Sequence, residues 1–158
     1  MSSTLYVDNL IEKTSGNGVH IPGHVIQVVD GTYADQLTTT SASYVTSNLS
    51  ASITPKFSSS RILILSNFQA QVTGTNNQSG YYTIFKGATN LASSGQFLRL
   101  EVNTDNWFGS QTIQHYDSPN TTSATTYEVK FRSQTSALTT RIHLSANRGY
   151  LTLMEIAQ

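Results

Sequence analysis

Three sets of side chains in this 158-residue sequence have types and spacing that could do chemistry. His20 and His24 stand four residues apart in "VHIPGHV", close enough to share a metal ion. Protein metal sites complete such a pair with carboxylates or thiolates. Here Pro22 and Gly23 interrupt the spacing, no carboxylate lies close by, and the chain has no cysteine. The pair is read as turn histidines, and no metal is expected. The nine Asp and Glu residues are the second set. Glycoside hydrolysis needs two of them facing across a cleft. Asp8, Glu12, Asp30 and Asp35 fall in arm or turn segments, and Glu128 alternates outward on a strand. No Gly-x-Ser-x-Gly elbow is present for a serine nucleophile. The expectation is a protein that is not an enzyme and takes no cofactor. The third set is "NTDNWFGSQ", which gathers Asp105, Asn106, Phe108 and Trp107, the only tryptophan. An aromatic plate beside amide and carboxylate groups can hold a sugar, the ring covering C–H faces while the polar groups bond hydroxyls. The alternative is that Trp107 and Phe108 pack beneath the loop or into a subunit seam. Both stay open at this point.

The elements that must position these residues have a period of two. In "TYEVKFR", Tyr127, Val129 and Phe131 face one way and Glu128, Lys130 and Arg132 the other. "RIHLSA" puts Ile142, Leu144 and Ala146 inward. "RILILSNFQAQV" begins doubly apolar and then alternates, with Phe68, Ala70 and Val72 opposite Asn67, Gln69 and Gln71. "HVIQVV", "SYVTSNLSASI", "YYTIFK", "FLRLEV", "QTIQHY" and "YLTLMEI" read as further strands, separated by turn clusters such as "TGTNNQSG" and "SPNTTS". No stretch carries a helical stripe. The pattern predicts an all-β, antiparallel β-sandwich of jelly-roll type over residues 24–158. Residues 1–23 have too few apolar side chains for a core of their own and predict an extended N-terminal arm.

Composition narrows the partners. Lys and Arg number nine, as do Asp and Glu, and charged residues make up 11% of the chain. So dilute and balanced a charge gives no field for phosphate backbones or anionic lipid, so neither nucleic acid nor membrane insertion is expected. Ser and Thr supply 43 residues, a polarity suited to sheet surfaces and turns. No secretory signal or membrane-length apolar run is seen, which predicts synthesis in a cytoplasm and makes the Asn48, Asn77 and Asn120 glycosylation triplets chance matches. Residues 62–65, 81–85 and 150–156 are apolar on both strand faces. One sheet face meets the core, so the other predicts a subunit interface or a covering loop.

"LYVDNLIEKTSGNGVHIPGHVIQVV" resembles the N-terminal segment of small virion proteins of tailed bacteriophages, especially marine and cyanobacterial ones. The likeness continues in "SYVTSNLSASITPKFSSSRILIL", "YDSPNTTSATTYEVKFR" and "YLTLMEIAQ", and is weakest over residues 73–115. The resemblance implies a homotrimeric, fibre-like virion protein, joined to other virion proteins through its arm and exposed on the particle. Two functions fit. A receptor-binding tail fibre or appendage would touch host glycan or outer-membrane protein with Asp105, Asn106, Trp107 and Phe108, and would expose loops 73–80, 87–96 and 103–110 together, away from the arm. A capsid or head decoration protein would bury apolar surface against the shell.

Overall fold

The computed structural model describes residues 7–13, 19, 21–75, 77–144 and 147–158. His20 and Ala146 lie outside them. Among the described residues the regular structure is almost wholly strand, with no α-helix. The strands are β1 (Val25–Tyr33), β2 (Leu37–Thr39), β3 (Val45–Ile53), β4 (Arg61–Thr73), β5 (Gln78–Lys86), β6 (Thr89–Asn90), β7 (Leu98–Val102), β8 (Asn106–Asp117), β9 (Thr125–Ser133), β10 (Thr139–Ile142) and β11 (Gly149–Ile156).

They form two antiparallel sheets. In the first, β4 pairs with β8 along its whole length, from Ile62 opposite Asp117 to Thr73 opposite Asn106. Its other edge is shared, Arg61–Asn67 pairing with β11 and Ala70–Thr73 with β10. Beyond these lie β1 on β11 and β2 on β10. Thus β1 with β2, and β10 with β11, are each one long strand broken at the same level. The second sheet runs β3, β9, β5, and then β6 and β7 along one edge of β5. Counting each broken strand once in chain order, the sheets run 1-8-3-6 and 2-7-4-5. That is the order of a jelly roll, two Greek keys closed into a sandwich.

Alternation fixes which face is buried. Ile62, Ile64, Phe68, Ala70 and Val72 of β4, Leu151 and Leu153 of β11, and Tyr127, Val129 and Phe131 of β9 all enter the core. Tyr82 lies between Phe68 and Phe131 with ring centroids at 5.4 and 6.1 Å. Its hydroxyl donates to the Arg141 carbonyl at 2.8 Å, which satisfies the polar end of a buried ring. The sandwich has two ends. Gly23 N–H donates to Ala157 O and Ala157 N–H to His24 O, so residues 21–24 leave from the end where β11 finishes. Residues 40–44, 74–75, 77, 103–105 and 134–138 lie at the opposite end. Val7, Leu10 and Ile11 are exposed.

One strand expectation needs correction, and another, left between two readings, is narrowed. β10 stops at Ile142, and His143 adopts φ 60° rather than continuing the alternation through "RIHLSA". The outer face of residues 81–85 is also covered from within the chain. Arg132 sits 4.1 Å over the Tyr81 ring and Lys130 4.6 Å over Phe85. That segment therefore offers little bare apolar surface.

Candidate functional site

The structure does not present "NTDNWFGSQ" as a loop. Only residues 103–105 turn, and Asn106 begins the 12-residue strand β8. Asp105 occupies the left-handed region (φ 73°) and its carbonyl accepts from Gly74 N–H at 3.1 Å, tying two connections of the far end together. Strand alternation then separates the aromatics. Trp107 turns inward, half-buried against the core, with its ring lying over Gly109. Phe108 turns outward and is 70% exposed, on the same face as Asn106. The four residues do not form one surface, and the exposed aromatic is Phe108, not Trp107.

What Phe108 does share is an open depression of about 270 Å³ lined by Gln69, Gln71, Phe108 and Leu144. Gln69 and Gln71 are outward positions of β4, and Phe108 pairs directly with Gln71. Arg141 Nη1 donates to Gln71 Oε1 at 3.1 Å and to Thr73 Oγ1 at 3.2 Å. Asn147 Nδ2 donates to Gln69 Oε1 at 2.9 Å. Each glutamine carbonyl is thus engaged, leaving each amide nitrogen as a donor. The outward positions of Gln69 and Gln71 are legible in the sequence. That Phe108, Arg141 and Asn147 stand beside them is not, because that depends on strand pairing.

The loops expected to gather with this surface do so in part. Residues 74–75, 77 and 103–105 share the end remote from residues 21–24. The 87–96 segment does not. Gly87 and Ala88 turn at the opposite end, and the chain then runs back along β5, where Leu91 N–H bonds Ile84 O and Phe97 N–H bonds Tyr82 O.

Other titratable groups are engaged structurally. Asp117 accepts from Lys86 Nζ at 2.9 Å and from the Tyr127 hydroxyl at 2.7 Å. Burial and this carboxylate together push the Tyr127 phenol far above its ordinary range. Glu128 meets Thr46 and Lys130 on the outer face of the second sheet. No group of three or more His, Asp or Glu able to bind a metal exists among the described residues.

His143 is fully buried. Its Nε2 stands 3.2 Å from the Ser47 carbonyl and must carry the hydrogen, which leaves Nδ1 bare and without a partner. Burial lowers its pKa below the ordinary histidine value of 6.5, and burial does the same to His115. Below about pH 6.5 the unfolded chain takes up protons that the native state resists, so stability is full above that pH and falls beneath it. Urea midpoints measured from pH 7.5 to 5 should decline. His143→Asn, which tolerates positive φ, should flatten the decline, and an unchanged slope would contradict this assignment.

Fold and surface together define a jelly-roll β-sandwich with an amide-rich depression at one end and an N-terminal extension at the other. In comparisons with known proteins, no family model and no curated sequence matches the chain.

Proposed function

We propose that this chain is a structural protein of a tailed-phage virion, a short homotrimeric tail fibre or appendage. Residues 1–23 attach it to the particle and the jelly-roll head meets the host cell. One observation carries the assembly half of this reading. On the outer face of the first sheet, Val28, Met154, Leu63 and Tyr116 form a row of cross-strand neighbours spanning all four strands. Ile156, Leu65 and the exposed Val25 adjoin it, and Arg61 bounds it, 4.6 Å over the Tyr116 ring. The row lies at the end where residues 21–24 leave the head. In a protein of such sparse charge, an apolar row beside the attachment segment suits contact between copies. The phage resemblance supports three of them.

Light scattering at micromolar concentration should return three times the 17.2 kDa of one chain. Leu63→Lys combined with Met154→Lys should return a single chain with an unchanged circular dichroism spectrum. A monomeric mass for the unaltered protein would overturn the assembly. A decoration protein is the second reading, favoured by exposed Val7, Leu10 and Ile11, which suit an arm lying along a shell. Binding of the purified head to host cells separates the two.

A further inference from the structure

We infer that the depression around Phe108 is a binding site for a neutral pyranose of a cell-surface glycan. This rests on the proposed appendage reading for the source of the ligand, but its chemistry is local. A pyranose ring has an apolar C–H face and a rim of hydroxyls that both donate and accept. Phe108, 70% exposed on a rigid strand, offers a plate for the first. Gln69 and Gln71, two residues apart on one face of β4, offer amide donors for the second. Both are hydrogen-bonded before any ligand arrives, and the orientation of Gln71 is fixed. Arg141 can only donate, so Gln71 must present Oε1 to it and Nε2 elsewhere. Asn147 holds Gln69 by donating to its Oε1, although asparagine, unlike arginine, can also accept. Such pre-ordering reduces the entropy lost on binding.

Acceptors stand alongside. Ser110 pairs with Gln69 and Asn106 with Thr73, both on the outer face of β8. Arg141 commits Nη1 to Gln71 and Thr73, and the side chains that line the depression, Gln69, Gln71, Phe108 and Leu144, are all neutral, which suits an uncharged sugar. The volume of about 270 Å³ suits one ring rather than an extended chain. Position agrees with presentation to a cell. Gln71 is eight residues along β4 from Leu63, about 26 Å at roughly 3.3 Å per residue. The depression therefore lies on the same sheet face as the apolar row but at its other end, remote from the attachment segment.

Saturation-transfer NMR tests this on the full chain with glucose, galactose, mannose and N-acetylglucosamine, and with glucuronic acid as the acidic comparison. At least one neutral sugar should receive saturation at its ring protons. Phe108→Ala should weaken that binding about tenfold or more, Gln71→Met should weaken it as well, and Trp107→Phe should leave it intact. No transfer to any neutral sugar, or transfer that survives Phe108→Ala, would overturn the site. So would preference for the acidic sugar. Light scattering of the same samples keeps the two proposals apart. Sugar binding with a monomeric mass would leave the site standing and remove the trimer. A mass changed by Phe108→Ala would make the depression a subunit contact and overturn the sugar site.

Discussion

Gly31→Ala is expected to destabilise the protein by about 3 kcal/mol, at the upper end of overpacking effects. Gly31 lies inside β1, the edge strand of the first sheet, where it meets β3 of the second. A Cβ there would stand 2.0 Å from the Ser50 carbonyl oxygen and 2.8 Å from its carbon. These are backbone atoms of a paired strand, so no side-chain rotation relieves the clash and the two sheets must part. For a chain of this length the loss corresponds to a fall in Tm of roughly 6–12 °C. Thermal and urea unfolding of the variant measure it. A change below about 1 kcal/mol would mean that the sheet edges are not in contact at this point.

Glu155→Leu should have an effect of similar size by a different route. Glu155 is fully buried on the inner face of β11. It accepts from Lys56 N–H at 2.8 Å, Phe57 N–H at 3.2 Å and the Gln27 side-chain amide at 2.5 Å. Leucine fits the space approximately but accepts nothing, so donors inside the fold lose their partner at about 1–3 kcal/mol each. The 54–60 connection can release its two N–H groups to water by detaching from the sandwich. Hydrogen exchange at Lys56 and Phe57 should therefore rise well before global unfolding. Glu155→Gln keeps an oxygen acceptor and should cost distinctly less. Equal losses for Leu and Gln would place the carboxylate's role in its charge rather than in these bonds.

Much of the sandwich is legible wherever a strand has one wet face. Tyr127, Val129 and Phe131 are buried, and Glu128, Lys130 and Arg132 lie on the opposite face, as alternation requires. Legibility ends where neighbours decide. Glycine is by default a turn residue, yet β1 runs on through Gly31 to Tyr33, because a missing Cβ is what the close approach of β3 demands. Glu155 shares a face with Leu151 and Leu153, and only the donors of a distant connection make a buried carboxylate tolerable. "DNWFGS" carries turn-forming residues, but pairing with Gln69–Thr73 holds all but Asp105 in a strand. The same pairing turns Trp107 in and Phe108 out. Of the expected site residues, Phe108 lines the depression, Asn106 flanks it, and Asp105 and Trp107 serve the turn and the core edge.

The left-handed asparagines carry a practical consequence for making the protein. Asn48, Asn77 and Asn120 have φ of 59°, 57° and 53°, a conformation asparagine adopts more readily than most residues. A backbone requirement thus accounts for the asparagine in each Asn-x-Ser/Thr triplet. All three are exposed, so passage through a eukaryotic secretory pathway would offer three acceptors to the glycosylation machinery. A sugar on Asn48 would modify the amide that donates to the Tyr33 hydroxyl. One on Asn77 would crowd the end of the head where Phe108 is displayed. Bacterial expression leaves both surfaces bare.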